Sequence, residues 1–187
     1  MVGSFWKKAL VLIPLGFGCA WVAQADDPLT QPSKKVVKSD AEWRRMLTPQ
    51  QYAVTRQADT EPAGSGKLLH NKATGVYECV CCSNPLFSSQ TKFESGTGWP
   101  SFYAPVAAAN VATTTDYKLG YPRTEVTCNN CGAHLGHVFD DGPAPTGQRF
   151  CMNSVALKFA KDAPPAPTTP AGKPVAPKAE PSKTAPK

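Results

Sequence analysis

The sequence lacks a long uninterrupted hydrophobic run of the kind that crosses a lipid bilayer. Its apolar stretch from Ala9 to Val22 is short for a membrane span and is interrupted by Pro14 and by glycines. The pattern therefore does not favour a membrane-spanning helix.

The same stretch has the flanking residues of an export signal. Lys7 and Lys8 precede it, and Ala23-Gln24-Ala25 follows it as a small-x-small cleavage site. We therefore predict a signal peptide over residues 1–25 and an exported protein that is periplasmic or associated with the cell envelope. An uncleaved anchor and a lipoprotein attached through Cys19 are the alternatives. Cleavage would remove Cys19 and leave six of the seven cysteines.

The carboxyl-terminal segment lacks aromatic residues and almost lacks branched aliphatic ones. From Asp162 to Lys187 nearly every residue is Pro, Ala, Lys or Thr. Such a segment cannot bury enough apolar surface to offset the entropy of ordering, so a disordered tail is predicted over residues 162–187. Its lysines contribute to the net charge of +6. Because no basic stripe with interleaved aromatics occurs elsewhere, this charge does not indicate nucleic-acid binding.

Long helix-period segments are absent after Gly75. Short β-rich runs such as Val76–Glu78, Glu125–Thr127 and Ser154–Phe159 alternate there with glycine, proline and asparagine. After a polar linker over residues 26–38, the sequence predicts one mainly β domain over residues 39–161, built from antiparallel sheets.

Two short helices are expected at the start of this domain. Ser39 or Asp40 is placed to cap a helix over Ala41–Leu47. Thr48 is placed to cap a second helix that has Pro49 at its first position and ends before Asp59.

Two C-x-x-C pairs occur in this domain. Cys79 and Cys82 form the first pair, and Cys128 and Cys131 form the second. Four thiolates in tetrahedral geometry suit zinc, and no ligand position remains open for catalysis. The long separation of the pairs predicts that the metal joins two distant hairpins. Two structural disulfides, which an exported protein can form, or another metal are the alternatives.

A second group of reactive side chains lies downstream. His134, His137, Asp140 and Asp141 fall within the twelve residues 131–142, and Arg149-Phe150-Cys151-Met152-Asn153 follows at the start of a predicted strand. Alternate residues of a strand share a face, so Arg149, Cys151 and Asn153 are expected to point the same way. A nearby cation lowers the pKa of a thiol, which indicates a nucleophile. The alternative is that Cys151 is a small buried hydrophobe.

A glycine turn carries an aromatic cluster in the segment from Lys92 to Tyr103. Its Trp99 is either part of the hydrophobic core or the wall of a small apolar pocket. His70 has no comparable context and is read as an ordinary surface residue.

These segments together resemble the methionine-R-sulfoxide reductase B family. The resemblance covers roughly residues 43–159. The matching segments are Leu47–Tyr52, Thr60–Glu61, Gly75–Tyr77, the two cysteine pairs, Lys92–Gly96, Gly98–Phe102, Arg123–Val126, His134–Phe139, Asp141–Pro143 and Arg149–Ser154.

The resemblance implies a fold of two antiparallel sheets and a set of roles for the residues above. Cys151 is expected to attack the sulfoxide sulfur, and Trp99 to pack on the methyl group of the substrate, with Phe102 also in substrate binding. A structural zinc is expected away from the active face. The polar side of the site is assigned to His134, His137, Asp141, Arg149 and Asn153, with His137 as the acid, His134 as its partner and Asp141 orienting an imidazole.

The sequence departs from the common family pattern at Thr97, where many relatives carry a resolving cysteine. The only unassigned cysteine of the mature chain is Cys81, which lies inside the first metal pair. A thioredoxin-like protein or another external thiol is therefore expected to reduce the Cys151 sulfenic acid, and the alternative is that Cys81 acts as the resolving cysteine. Oxidised proteins are the expected substrates, and the chain is expected to be a monomer. The rival interpretations are a non-catalytic zinc-binding redox sensor or interaction module and a thiol–disulfide oxidoreductase.

Overall fold

The computed structural model describes residues 35–161. The predicted signal peptide, most of the predicted linker and the predicted tail lie outside the described residues.

Two helices precede nine strands in these residues, and three short 3₁₀ helices lie between the strands. The α-helices are α1 (Asp40–Met46) and α2 (Pro49–Gln57). The strands are β1 (Gly75–Cys79), β2 (Pro85–Ser88), β3 (Lys92–Phe93), β4 (Ser101–Phe102), β5 (Val111–Asp116), β6 (Arg123–Cys128), β7 (His134–Phe139), β8 (Arg149–Met152) and β9 (Leu157–Lys161). The 3₁₀ helices span Ser89–Thr91, Ala108–Asn110 and Ser154–Ala156.

The strands form two antiparallel sheets, which confirms the predicted fold class. The smaller sheet has the order β2-β1-β9, and the larger sheet has the order β3-β4-β8-β7-β6-β5. The two sheets are linked in sequence where β8 ends, because the chain passes through the 3₁₀ helix Ser154–Ala156 into β9. The β-rich run predicted over Ser154–Phe159 therefore begins as a 3₁₀ turn, and only its second half is a strand.

Both helices have the caps that the sequence predicted, although α1 begins and ends one residue before the predicted Ala41–Leu47. The side chain of Ser39 accepts from the backbone N–H of Glu42, and the Glu42 carboxylate accepts from Ser39 in return. Thr48 and Gln51 form the same reciprocal pair, with Pro49 at the first position of α2. Such a capping box satisfies helix N–H groups that otherwise lack partners. Neither helix of residues 35–161 is long and apolar enough to cross a membrane.

The hydrophobic core lies between the sheets and the helices, and Phe102 is part of it. The Phe102 ring stacks on Phe87 with centroids 4.5 Å apart and meets the edge of Tyr77 at 4.9 Å. Its relative exposure is 0%. The prediction that Phe102 contacts the substrate is therefore wrong, because its strand pairs it with Phe150 on the core side of the large sheet.

Candidate active site

Cys151 lies at a small cavity of about 110 Å³ on the large sheet. The cavity takes residues from β6, β7 and β8 and from two loops. Its lining consists of Thr60, Trp99, Arg123, Gly136, His137, Phe139, Cys151 and Asn153. It is large enough for one side chain, so a larger substrate would leave most of its atoms outside.

The strand register brings the reactive side chains together. In the large sheet Glu125 of β6 pairs with His137 of β7, which pairs with Cys151 of β8, which pairs with Ser101 of β4. Directly opposed residues in an antiparallel sheet project to the same face with short Cβ separations. The imidazole of His137 and the thiol of Cys151 are therefore immediate cross-strand neighbours.

Gly136 allows this close pairing of β7 and β8. A Cβ atom at this position would lie only 2.1 Å from the carbonyl oxygen of Cys151. Any other residue would force the two strands apart at the position that holds the nucleophile.

Burial dominates the titration of the Cys151 thiol. Desolvation raises its pKa above the ordinary value, while a hydrogen bond with Thr97 and the positive charge of Arg149 both act to lower it. The sequence predicted that a nearby cation lowers this pKa, and Arg149 does act in that direction, but burial of the thiol outweighs it. The raised pKa favours the neutral thiol over the thiolate.

A chain of hydroxyl groups supports this thiol from the side opposite His137. Thr97 Oγ1 lies 3.8 Å from Cys151 Sγ and 2.9 Å from Ser95 Oγ. Ser95 Oγ in turn lies 2.7 Å from Ser101 Oγ, and the Ser101 hydroxyl donates to the carbonyl of Trp99 at 3.1 Å. The residue that stands where many relatives carry a resolving cysteine thus contacts the nucleophile directly.

Asp116 holds the imidazole of His137. Its Oδ2 lies 2.8 Å from His137 Nε2 and 2.5 Å from the guanidinium of Arg123. The backbone N–H of Lys118, then the imidazole and the guanidinium, hold the pKa of Asp116 well below its usual range. Burial lowers the pKa of His137, and Asp116 opposes that shift without overcoming it. A neutral imidazole therefore stands beside a neutral thiol near pH 7.

His134 lies behind His137 and does not line the cavity. Its Nδ1 lies 2.6 Å from Glu125 Oε1, and its ring meets that of His137 at a centroid distance of 5.5 Å. A register shift in the β6–β7 pairing, between Val126 and Thr127, is what brings both imidazoles toward Glu125. His134 is a buried support for His137.

Asp141 was predicted to orient an imidazole, and the structure contradicts this. Its two carboxylate oxygens accept from Arg149 at 2.8 and 2.9 Å. The guanidinium also stacks over the ring of Phe139 at 4.5 Å. Asp141 therefore fixes the cation beside the nucleophile, while Asp116 and Glu125 orient the two histidines.

Glu61 connects two further predicted site residues, Trp99 and Asn153. The indole Nε1 of Trp99 donates to the Glu61 carbonyl at 3.0 Å, and the Glu61 N–H donates to Asn153 Oδ1 at 3.1 Å. The buried Glu61 carboxylate accepts from the backbone N–H groups of Ser154 and Val155 at 2.6 and 2.9 Å. These bonds fix the indole at the cavity wall, as the pocket interpretation of Trp99 predicted.

The four cysteines of the two pairs form a separate cluster, built from two similar turns. Cys79 ends β1 and Cys82 lies in the turn that follows, and Cys128 ends β6 and Cys131 lies in the turn that follows. The residue after each pair has a left-handed backbone, with φ of 61° at Ser83 and 68° at Gly132. The cluster joins the small sheet to the large one. The sequence had predicted that the two pairs link distant hairpins.

The geometry of this cluster fits a metal ion. Sulfur–sulfur distances are 3.7 Å for Cys79 and Cys131 and 3.6 Å for Cys82 and Cys128, and all four sulfurs lie within 4.8 Å of one another. Four thiolates at about 2.3 Å from a tetrahedral ion would be about 3.8 Å apart. All six cysteines of residues 35–161 are free thiols, so the structure gives no support to the alternative of two disulfides.

The sequence pointed to Cys151, Trp99 and His137 at the cavity but not to several residues that contact them. Thr60 and Glu61 belong to a matching segment to which no role was assigned, and nothing in the sequence singled out Asp116. Asp116 is separated from His137 by a hairpin and carries no motif of its own. Only the pairing of β5 with β6, where Asp116 faces Arg123, could have pointed to it.

The fold and the cavity together define a domain of two antiparallel sheets with a thiol at a small cavity and a separate group of four cysteines that could hold a metal ion. The sequence profile of the SelR domain matches residues 47–161, which include both the cavity and the cluster. The chain therefore belongs to the SelR domain family and is an oxidoreductase of the peptide methionine sulfoxide reductase B kind.

Curated relatives are similar over the same region. The "Peptide methionine sulfoxide reductase MsrB" of Methanosarcina barkeri is 56% identical over 126 residues, which cover 67% of this chain and 89% of the relative. The "Methionine-R-sulfoxide reductase B2, mitochondrial" of Rattus norvegicus is 52% identical over 149 residues, which cover 76% of this chain and 85% of the relative.

A cysteine introduced at position 97 should form a disulfide with Cys151. In the Thr97→Cys variant the new sulfur replaces an atom 3.8 Å from Cys151 Sγ, on a turn flanked by glycines that can move it the remaining distance. Mild oxidation followed by peptide mapping should show the 97–151 link, and a Gln90→Cys variant on the exposed surface should not form one. Failure of the link to form would mean that Thr97 does not face the nucleophile.

Proposed function

We propose that this chain reduces the R epimer of methionine sulfoxide, mainly within proteins, to methionine, with Cys151 as the nucleophile and a Cys151 sulfenic acid as the intermediate. The observation that carries the proposal is the cross-strand pairing of His137 with Cys151 at the base of a cavity walled by Trp99. The family relationship and the name of the rat relative support the substrate and the epimer.

The cavity supplies an apolar surface and a proton relay on different walls. The indole of Trp99 is held by its bond to Glu61, so it offers a fixed face to the methyl group of the sulfoxide. On the opposite wall His137 bonds to Asp116 through Nε2, and a carboxylate only accepts hydrogen bonds. In the neutral ring Nε2 therefore carries the hydrogen, and Nδ1 is free to accept a proton.

The reaction balances if the thiol proton ends on the departing oxygen. His137 takes the proton from Cys151, and the resulting thiolate attacks the sulfoxide sulfur. His137 then gives the same proton to the sulfoxide oxygen. A bond forms between this oxygen and Cys151 Sγ as the sulfur–oxygen bond of the substrate breaks. Methionine leaves, and Cys151 is oxidised to the sulfenic acid. Asp116 stabilises the imidazolium that exists between the two transfers.

An external thiol completes the cycle. Within residues 35–161 no second cysteine lines the cavity, and Cys81 is buried among the metal-binding cysteines. One thiol of a reductant condenses with the sulfenic acid to give a mixed disulfide and water, and a second thiol releases Cys151. A thioredoxin-like protein or a small dithiol fits this role. The leader pattern of residues 1–25 supports action outside the cytoplasm.

We also infer that the four-cysteine cluster holds a structural zinc ion. Cys79, Cys82, Cys128 and Cys131 would bind it through their thiolates, which leaves no open position for substrate. The ion would join the two sheets, because one pair of ligands lies at the end of β1 and the other at the end of β6.

Replacing the nucleophile tests the proposed reaction. Cys151→Ser should reduce the R epimer of a blocked methionine sulfoxide no faster than the uncatalysed background, whereas wild type should reduce that epimer and leave the S epimer unchanged. Chiral chromatography of the products measures both. Cys81→Ser is the matched control and should keep turnover with an external dithiol. Activity of wild type toward both epimers, or persistence of activity in Cys151→Ser, would contradict the proposal.

The fall of kcat/KM at acidic pH should report the pKa of His137. Its pKa lies below the ordinary 6.5, so kcat/KM of wild type should fall only below that pH, as the ring becomes protonated and can no longer accept the thiol proton. In Asp116→Asn the carboxylate that raises this pKa is lost, so this acid limb of the pH profile should move to lower pH.

Asp116→Asn should also lower kcat by roughly tenfold or more. The loss should not exceed the about 10²–10⁴-fold that acid–base catalysis contributes as a whole. The exposed Asp140 supplies the control. Asp140→Asn should change neither the pH of the acid limb nor kcat. A limb that stays in place in Asp116→Asn would remove His137 from the proton relay.

Metal analysis tests the cluster. The purified protein should contain about one zinc ion per chain, and Cys128→Ser should lose it together with much of its thermal stability. Cys81→Ser, between Cys79 and Cys82, should keep the metal because Cys81 is outside the four-sulfur group. Metal-free wild-type protein whose cysteines resist thiol reagents until reduced would show disulfides instead.

A further inference from the structure

The loop between β5 and β6 presents an unusual amount of apolar surface. This loop, residues 117–122, is called the apolar loop below. Its Tyr117, Leu119 and Tyr121 side chains are 66%, 57% and 54% exposed. Among residues 35–161 the other exposed large hydrophobic residues are Val37 and Met46, near the amino-terminal end. Three such side chains within five residues form a patch of the kind that marks an interaction site.

The apolar loop is continuous with the active-site cavity. The residues at its two ends are Asp116 and Arg123, which pair across the hairpin. Asp116 contacts His137, and Arg123 lines the cavity. A polypeptide that places one side chain in the cavity can therefore reach this loop within a few residues, since extended chain advances about 3.3 Å per residue.

Polar bonds within the loop leave the apolar side chains facing solvent. The Lys118 N–H donates to Asp116 Oδ1 at 2.6 Å, and the Lys118 ammonium donates to the carbonyl of Ala58 at 2.8 Å. Gly120 closes a turn by donating to the carbonyl of Tyr117 at 2.9 Å, with φ of 83°. The loop is anchored at its base and to the end of α2, so its hydrophobic surface is presented in a defined place.

We propose that the apolar loop is a docking surface for apolar residues that flank an oxidised methionine in an extended or unfolded polypeptide. The proposal rests on the proposed function and adds a preference for sequence context. Methionine is an apolar residue that packs in protein cores, and its oxidation to a polar sulfoxide disrupts them. The segments exposed in this way carry other hydrophobic residues beside the sulfoxide, which matches the surface that the loop offers.

Kinetics with three R-sulfoxide substrates test this docking. The first is a single methionine sulfoxide blocked at both ends, the second is a peptide with Leu and Phe flanking the sulfoxide, and the third has Ser and Gly in their place. The variant carries Tyr117→Ser, Leu119→Ser and Tyr121→Ser together. The control carries Val37→Ser and Met46→Ser, which remove exposed hydrophobic side chains from a different part of the surface.

Wild type should have a lower KM for the apolar peptide than for the Ser/Gly peptide. The loop variant should raise KM for the apolar peptide about tenfold, equivalent to about 1.4 kcal/mol, and should leave kcat unchanged. Its kinetics on the blocked single residue and on the Ser/Gly peptide should match those of wild type, which also shows that the variant is folded. The control variant should behave as wild type on all three substrates.

Several results would overturn the docking proposal. An equal loss on all three substrates would mean that the loop supports the cavity itself, and no loss on the apolar peptide would mean that the surface is unused. A wild-type dimer in sedimentation velocity that the loop variant dissociates would assign the surface to a second copy of this chain. Absence of wild-type activity on all three R-sulfoxide substrates would instead refute the proposed function, so the two failures are distinguishable.

Discussion

The register of the large sheet is the constraint on which the rest of the site depends. One transverse row crosses four strands and contains Glu125, His137, Cys151 and Ser101 on a single face. The neighbouring rows place Met152 and Phe150 against the core. Because side chains alternate with a period of two, a slip of one residue between β7 and β8 would bury the nucleophile and expose the core. Gly136 allows the two strands to approach closely enough for this register.

The electrostatics of the site follow from its burial. Burial desolvates both the Cys151 thiol and the His137 imidazole, so both favour their neutral forms. Two carboxylate–cation pairs border this neutral centre, Asp116 with Arg123 and Asp141 with Arg149. The charged pairs thus lie beside the thiol and the imidazole and do not include either group. The proposed reaction suits this arrangement, since a sulfoxide oxygen would need a proton only at the moment when the thiolate attacks.

The four-cysteine cluster and the cavity occupy different parts of one scaffold. The cluster joins the turn after β1 to the turn after β6, and so ties the small sheet to the large one at the end of β6 that is far from Arg123. The cavity and the apolar loop lie toward the opposite end of β6, where Arg123 begins the strand. An interaction surface can therefore form around the cavity without involving the residues that hold the sheets together.

Local sequence determined the features that depend on neighbouring residues along the chain. The capping boxes at Ser39 and Thr48, the two cysteine turns and the alternation around Cys151 could all be read without the structure, because each involves residues a few positions apart. Tertiary structure alone decided the partners of the charged groups. It paired Asp116 with His137 and Asp141 with Arg149, and it placed Phe102 in the core. It also made burial outweigh the nearby cation at Cys151, because desolvation depends on atoms that are distant in sequence and meet only when the sheets have packed.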